Sequence, residues 1–282
     1  MADYVLSLAC DDKPGLVASV AAAIFGLSGN ITEAQQFNDA ETGRFFMRVT
    51  FAVDRNEHDI NSALSLIAAA HKAEVRVSNV MARKRVLLLV SKFDHCLADL
   101  LYRHRIGELP MDVVGIVSNH PREVISTKNI GEVPFHYLPV TTGTKAEQEG
   151  RIKLLVKSTG AELVVLARYM QILSDDLAAF LSGRCINIHH SFLPGFKGAK
   201  PYHQADARGV KMIGATAHYV TTDLDEGPII HQDVEAISHA DTPDDLVRKG
   251  RDIERRVLAE AVRLHLQDRV LLNCTKTIVF RT

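Results

Sequence analysis

Between residues 3 and 80 the apolar positions recur first with the period of a strand and then with that of a helix. Residues 4–10 alternate as a strand does, whereas Leu16, Val20, Ile24 and Leu27 fall on one helical face. Residues 31–37 and 44–53 predict a hairpin, residues 60, 64 and 67 a second helical stripe, and residues 74–80 a last strand. This β-α-β-β-α-β order is that of a ferredoxin-like fold.

A short basic link at residues 81–85 precedes a segment with a different rhythm. Runs of β-branched and aliphatic residues, each suited to a strand buried on both faces, lie at residues 86–91, 113–118, 133–140, 163–167 and 186–190. Residues 213–221 and 229–237 predict a hairpin, and capping boxes at Thr144-x-x-Glu147 and Thr242-Pro-Asp-Asp245 predict two helix starts, the second helix running to about residue 267. The pattern predicts an α/β protein in which an open, mostly parallel, Rossmann-like sheet follows the ferredoxin-like unit.

Composition narrows the classes of function. A length of 282 residues favours two domains, and 46% hydrophobic with 24% charged residues is typical of a globular protein. No apolar run approaches the roughly 20 residues of a membrane span, and a net charge of −1 argues against nucleic acid as a partner. The four cysteines show no C-x-x-C spacing, and acidic residues stand where a signal peptide needs Lys or Arg. We therefore expect a reduced, cytoplasmic protein without a membrane anchor.

Polar residues at the end of the predicted strand 186–190 are the first candidates for chemistry, because open α/β sheets bind ligands beyond the carboxyl ends of their strands. Asn187 and His189 are two residues apart and share one face. Their N–H groups can converge on one point, as an oxyanion on a carbonyl carbon requires. Asp225 lies in an acidic turn between two β runs, which makes it a candidate base or histidine partner. By itself, that turn is also typical of an ordinary solvated loop.

Three segments, I-N-I-H-H-S-F-L-P-G, A-H-Y-V-T-T-D-L-D-E-G-P-I-I and V-V-L-A-R-Y-M-Q-I-L, resemble the formyltetrahydrofolate-dependent formyltransferase and hydrolase superfamily. The first unit resembles an ACT domain, and the whole order, with G-A-K-P-Y-H-Q-A between the first two segments, is similar to the formyltetrahydrofolate deformylases. The resemblance implies a regulatory ACT-like domain over residues 1–82 and a formyltransferase-like catalytic domain over residues 83–282. It also implies hydrolysis of 10-formyltetrahydrofolate to formate and tetrahydrofolate, which supplies formate for purine biosynthesis and balances the one-carbon folate pools.

The resemblance further implies site residues. The catalytic set is Asn187, His189 and Asp225, and neither a metal nor another cofactor is expected. The folate-binding residues are Met170, Gln171, Ile172, Leu173, His218, Thr221, Thr222, Asp223 and Leu224, although the family more often has a basic residue where Gln171 stands. ACT-like loops imply an amino-acid effector near Asp12, Gly15, Asn30 and Ile31, and a homo-oligomer, dimer or tetramer, paired through these units. Ordinary turn and capping chemistry also accounts for those loops.

Three alternatives remain open. A formyltransferase acting on a small amine is the first, but transferases of phosphorylated amines carry a glycine-rich loop after the first strand, and residues 90–96 contain no glycine, while Asp94 would repel an anion. A metal site at His189, His190, His203 and Asp225 is the second, but adjacent residues of a strand face opposite ways. The third is an amino-acid sensor that has lost catalysis. Gly195 and Gly198 make residues 195–200 a candidate lid.

Overall fold

The computed structural model describes residues 1–127, 130–195 and 201–281. The chain divides into two compact units, one formed by Met1–Ala82, Gln267–Asn273 and Ile278–Thr282, the other by Arg83–Leu266 and Cys274–Thr277. The predicted second domain, residues 83–282, therefore differs at its C-terminus. The reason is packing, since Leu271 and Phe280 form an apolar cluster with Ala9 and Phe46 of the first unit. Most of the candidate lid, residues 196–200, lies outside the described residues.

The first unit is a four-stranded antiparallel sheet with strand order β2-β3-β1-β4. Its strands and helices are β1 (Ala2–Asp11), α1 (Leu16–Gly26), β2 (Asn30–Asp39), β3 (Arg44–Val53), α2 (Glu57–His71) and β4 (Glu74–Asn79). The predicted helical stripes are buried, with Leu16, Val20 and Ile24 from α1 and Ile60, Leu64 and Ile67 from α2. This confirms the predicted order of elements, which is compatible with an ACT-like domain.

The second unit is built on a seven-stranded sheet with order β11-β10-β9-β8-β5-β6-β7. Its strands are β5 (Lys84–Val90), β6 (Met111–Ser118), β7 (Phe135–Tyr137), β8 (Leu163–Leu166), β9 (Cys185–His189), β10 (Met212–Tyr219) and β11 (Ile229–Ala236). Its helices are α3 (His95–Arg105), α4 (Lys145–Thr159), α5 (Asp175–Phe180), α6 (Pro201–Ala207) and α7 (Pro243–Leu266). Strands β12 (Val270–Asn273) and β13 (Lys276–Val279) form a separate two-stranded sheet. Strands β7, β6, β5, β8 and β9 run parallel, whereas β10 and β11 add an antiparallel hairpin. The mostly parallel α/β sheet is thus confirmed.

Two local predictions were wrong in detail. The strand predicted over residues 133–140 shortens to β7 because Pro134 and Pro139 flank it and cannot donate to a sheet ladder. Thr144 precedes α4 but makes no side-chain cap, since its Oγ1 accepts from the backbone N–H of Thr141 instead. The other capping box forms as predicted, with reciprocal hydrogen bonds between Thr242 and Asp245 at the start of α7.

The strand order also locates a ligand crevice. From β5 the chain continues to β6 on one side of the sheet, and β8 later pairs with β5 on the other side. At such a reversal the loops after neighbouring strands separate and leave a crevice at the carboxyl edge. The loops after β5, β8 and β9 meet at this edge. Among the described helices, none is both long and apolar enough to cross a lipid bilayer.

Candidate active site

Strand β9 presents Asn187 and His189 to the same side, as their spacing predicts, and both line one cavity. The register with β10 pairs Asn187 with His218 and His189 with Thr216. The Nδ2 atom of Asn187 lies 3.3 Å from Nε2 of His218. The other ring nitrogen of His218, Nδ1, lies 2.9 Å from the carbonyl oxygen of Tyr219 and therefore donates to it. This contact fixes the ring of His218 with its Nε2 beside the side-chain amide of Asn187.

Asp225 reaches these residues from the segment between β10 and β11. Its Oδ2 lies 3.3 Å from Nδ1 of His189, and its Oδ1 lies 3.7 Å from Nε2 of His218. Asp225 has a positive φ of 56°, a left-handed conformation that aspartate tolerates better than most residues. A Cβ at Gly227 would overlap the carbonyl oxygen of Tyr219, so this tight return needs glycine. The turn that looked like an ordinary solvated loop is therefore shaped to bring one carboxylate to His189.

Electrostatics hold Asp225 in its ionised form. Burial alone would raise the pKa of its carboxyl, but the hydrogen bonds and charges of His189 and His218 outweigh burial and hold that pKa well below its usual range. His189 is itself 5% exposed. Its Nε2 atom is buried and makes no hydrogen bond within the described part of the chain. Because Nδ1 faces Asp225, Nε2 remains available to a ligand, and a buried polar atom of this kind costs about 1–3 kcal/mol when unsatisfied.

The loop after β8 forms the second wall of the site, and three buried polar contacts hold it. Ser91, at the end of β5, accepts the backbone N–H of Met170 at 2.9 Å and donates to Asn119. Gln148 of α4 donates to the hydroxyl of Tyr169 at 2.6 Å. Glu149 accepts both the backbone N–H and the hydroxyl of Ser174. These contacts order residues 169–174 before any ligand binds.

Together these walls enclose a cavity of about 630 Å³. Every catalytic and folate-binding residue that the sequence analysis named lines this cavity, namely Asn187, His189, Asp225, Met170, Gln171, Ile172, Leu173, His218, Thr221, Thr222, Asp223 and Leu224. The exposed apolar side chains Met170, Ile172 and Leu224 point to a flat, apolar ligand part, since such groups rarely stay exposed without a function when they cluster. Polar groups of the kind that acyl chemistry uses thus lie beside a surface that suits an aromatic ring.

The sequence did not predict a buried ionic network that lies beside the candidate catalytic residues. Glu254 of α7 is 1% exposed, and its carboxylate accepts from Nε2 of His95 at 2.9 Å and from the hydroxyl of Tyr202 at 2.6 Å. The guanidinium of Arg168 lies 3.3 Å from the same carboxylate. One signal was available, because Glu254 falls on the buried stripe of α7 beside Ile253 and Val257. Charged residues are rarely fully buried unless they are paired.

His190 differs from the sequence expectation. It was expected to face away from His189, but the two rings stack with centroids 5.0 Å apart and planes at 21°. The reason is that β9 ends at His189, so strand alternation no longer applies to the next residue. Burial, followed by the charges of Arg168 and His189, lowers the pKa of His190 to about 4. His190 is therefore neutral at physiological pH.

Side chains that could bind a metal ion lie together around Glu254. Within the described residues, the group with suitable spacing is His95, Cys96 and Glu254, and not the alternative set of His189, His190, His203 and Asp225. The carboxylate of Glu254 already accepts from two donors and faces a guanidinium. Burial, which raises the pKa of the Cys96 thiol well above its usual value, keeps it protonated. This environment is that of an ion pair, because a cation there would lie against Arg168.

The loop after β5 contains Asp94, whose carboxylate was expected to repel an anion. Asp94 is buried and accepts from the hydroxyls of Ser126 and Thr127 at 2.7 and 2.8 Å. Burial opposes ionisation, but these hydrogen bonds lower the pKa of Asp94 below its usual value. A negative charge therefore stands at the start of α3, where transferases of phosphorylated amines would need positive potential.

In the first unit, the structure separates the four candidate effector residues. Asp12 and Gly15 line an open cleft of about 690 Å³, and Asp12 accepts from the side chain of Asn38 at 2.7 Å. Asn38 lies near one end of β2, and Asn30 and Ile31 lie at the other. Asn30 is eight positions from Asn38, or about 27 Å along the strand. One small effector cannot contact all four within this unit.

The chain was compared with known proteins. A family model described as "Formyl transferase" matches residues 84–262. The formyltetrahydrofolate deformylase of Corynebacterium sp. (strain P-1) is 48% identical over 284 residues, covering 99% of this chain and 98% of that protein. The crystal structure of formyltetrahydrofolate deformylase from Burkholderia mallei ATCC 23344 matches with a TM-score of 0.94 and 48% identity over the full length of both chains. Glycinamide ribonucleotide transformylase 1 from Symbiobacterium toebii matches 71% of this chain and 95% of its own, with a TM-score of 0.65 and 29% identity.

Proposed function

This chain belongs to the formyltetrahydrofolate deformylase family, and from that premise we propose that it hydrolyses 10-formyltetrahydrofolate to formate and tetrahydrofolate. The observation that carries this proposal is the convergence of Asn187, His189 and Asp225 on the wall of an apolar cavity. Hydrolysis releases formate that purine biosynthesis uses, and it regenerates free tetrahydrofolate, so the reaction balances the one-carbon folate pools.

In the proposed reaction a water molecule attacks the formyl carbon while two donors bind the carbonyl oxygen. Nε2–H of protonated His189 and the amide N–H of Asn187 stabilise the negative charge that forms on that oxygen. Asp225 faces Nδ1 of His189, orients the water and accepts its proton. Its low pKa makes Asp225 a weak base toward free water, but the water becomes strongly acidic as its oxygen bonds to carbon. The bond from carbon to N10 then breaks, and N10 takes up the proton.

We assign the pterin ring to the apolar part of the same cavity. Met170, Ile172 and Leu173 supply one wall, and residues 221–224 supply the other. Gln171 lines the cavity as well. No metal enters this scheme, since the two donors supply the stabilisation that a Lewis acid would otherwise provide.

A formyltransferase acting on a small amine is the alternative. One observation favours it, namely an open cleft of about 720 Å³ that carries Lys92 and Arg105 and shares Phe93, His95 and Arg251 with the catalytic cavity. The buried negative charge of Asp94 on the same cleft weighs against an anionic acceptor. Water therefore remains the preferred acceptor.

The discriminating assay measures formate from 10-formyltetrahydrofolate in buffer free of amines, with and without a chelator. We expect sustained formate release that the chelator does not change. Strict dependence on an added amine would establish the transferase instead, and loss of activity on chelation would establish a metal requirement. Formate produced without an amine by the wild type only, and not by Asn187→Ala, would assign the reaction to this site.

We further propose a regulatory role for the first unit, in which Asp12 and Gly15 bind an amino-acid effector in the adjacent cleft. Exposed β2 forms one edge of the sheet, which supports pairing of two such units into a dimer, or a tetramer, of this chain. All four cysteines are free, which supports a cytoplasmic location. Formate release with and without single amino acids, and sedimentation at two concentrations, test the first two proposals.

A further inference from the structure

The network around Glu254 ends at the catalytic histidine. Nη1 of Arg168 lies 2.7 Å from Nδ1 of His190, and the His190 ring stacks on His189. On its other side Arg168 lies against Glu254, whose carboxylate also holds His95 and Tyr202. The mechanism above uses none of these contacts. A buried charge pair with three partners is costly to desolvate. We therefore infer a function at the end of the network that contacts His189.

Arg168 determines which form of His190 is present. A guanidinium only donates hydrogen bonds, so Nδ1 of His190 must accept and its proton must sit on Nε2. A second proton would have to go on Nδ1, directly against the guanidinium. The low pKa of His190, caused first by burial and then by Arg168 and His189, agrees with this geometry.

A neutral, fixed ring suits a neighbour of His189. Two adjacent imidazolium rings would repel each other, so a charged His190 would oppose the charge that His189 needs for oxyanion binding. The imidazole torsion of a histidine is also broad and weakly restrained by itself. A flat ring stacked at 5.0 Å restrains it and keeps Nδ1 of His189 toward Asp225.

We propose that Arg168 is a positioning residue. Anchored by Glu254, it holds His190 as a neutral Nε2–H ring stacked on His189, so that the single positive charge of this histidine pair resides on His189. The inference rests on the proposed function for its catalytic consequence, but the state of His190 is measurable without turnover. The titratable groups that face the pair from the surrounding elements are Asp225 and His218, Tyr202 and His203, His95, Arg168 and Glu254.

The first test is nitrogen-15 NMR of histidine-labelled wild-type protein, with the His190 signals assigned from a His190→Gln sample. We expect the Nε2–H tautomer, neutral at pH 7 and titrating near pH 4. In Arg168→Gln the midpoint should rise but stay below 6.5, the ordinary value for histidine, because burial, the largest cause of the low pKa, remains. A protonated ring or an Nδ1–H tautomer in the wild type at pH 7 would overturn the proposal.

The second test is steady-state kinetics of the same variants. Both Arg168→Gln and His190→Gln should lower kcat by about 10- to 100-fold, as a small misplacement of a catalytic group does. The KM for 10-formyltetrahydrofolate should stay within about twofold of the wild-type value. Arg184→Gln is the matched control, because Arg184 is a partly buried arginine that donates to the carbonyls of Ala161 and Phe180, lies over the Phe180 ring and is not among the residues lining the catalytic cavity. It should leave kcat and the His190 signals unchanged.

These outcomes separate the two proposals. A wild type that releases no formate contradicts the proposed function, while the NMR result still decides the state of His190. Unchanged kcat in His190→Gln contradicts the positioning role even if Arg168→Gln does not fold. A loss of kcat in Arg184→Gln equal to that in Arg168→Gln would also contradict it, since the effect would then follow from general destabilisation.

Discussion

Oδ2 of Asp225 lies 3.3 Å from Nδ1 of His189, and this contact orients the ring so that its second nitrogen, Nε2, points toward the cavity. The strand places His189, whereas a left-handed residue and a glycine that tolerates no Cβ place Asp225. The geometry of the proposed catalytic site therefore depends on one regular element and one tightly constrained turn. Substitutions in each should have different signatures.

Asn187→Ala removes one of the two donors to the oxyanion. We expect kcat to fall by about 100- to 1000-fold, the usual effect of deleting a single oxyanion donor. The KM for folate should change little, because the donor acts mainly in the transition state. Asn56→Ala is the control, since Asn56 caps α2 in the first unit and should cost about 0.5–2 kcal/mol of stability without changing kcat. Near wild-type turnover by Asn187→Ala would contradict the assignment.

Asp225→Asn should abolish more activity than Asn187→Ala, because it removes both the proton acceptor and the partner of His189. It also changes the pH dependence of stability. The pKa of Asp225 is lower in the folded protein than its ordinary 3.8, so the ionised form stabilises the fold above about pH 5. That contribution declines as pH falls below 3.8 and is lost below the folded pKa.

Urea unfolding of the wild type and Asp225→Asn between pH 6 and pH 2 measures this effect. We expect the two free energies of unfolding to differ by a constant amount near pH 6 and to converge as the pH falls. A difference that stays constant over the whole range would show that the carboxylate is not held in the ionised form by His189 and His218.

Gly227→Ala tests the turn that presents Asp225. Its methyl group would overlap the carbonyl oxygen of Tyr219, so the turn must move and take Asp225 with it. A shift of about 1 Å is enough for a loss on the order of 100-fold in kcat. Gly143→Ala is the matched control, because a Cβ there meets nothing within 4 Å. Equal activity in both variants would mean that Asp225 does not depend on this turn.

Ser91→Ala should act on binding rather than on chemistry. It deletes the acceptor that holds the backbone of Met170, a hydrogen bond with a net value of about 0.5–1.5 kcal/mol. The KM for folate should therefore rise by roughly 2- to 10-fold, while kcat stays within a factor of two. Ser158→Ala, on the exposed side of α4, should leave both constants unchanged. A selective fall in kcat would place Ser91 in the chemical step instead.

Periodicity was sufficient for most of the fold. The stripes of Leu16, Val20 and Ile24 in α1 and the buried runs of β5 and β8 follow directly from side-chain periods, because each element buries one stripe or both faces. Local chemistry overrode the pattern where it failed. Pro134 and Pro139 shortened β7. The backbone N–H of Thr141 donates to the hydroxyl of Thr144, which would otherwise have capped α4.

The candidate site divides in the same way. Asn187 and His189 could be predicted from strand geometry alone, since two residues of one strand share a face. Asp225 was a candidate from its position between two β runs, and the resemblance selected it as catalytic, because its approach depends on a turn that no period describes. The pair of Arg168 and Glu254 could not be predicted, since the two residues are far apart in the chain and only the packing of α7 brings them together. The orientation of His190 depended on where β9 ends.

Oxygen-18 labelling tests the central claim, that water is the formyl acceptor at the Asn187, His189 and Asp225 site, most directly. The wild type is incubated with 10-formyltetrahydrofolate in oxygen-18 water without any amine, and the formate is analysed by mass spectrometry. We predict one heavy oxygen in each formate, one tetrahydrofolate for each formate, and a rate that falls by about 100- to 1000-fold in Asn187→Ala. Formate without the label, or no formate until an amine is added, would contradict the account.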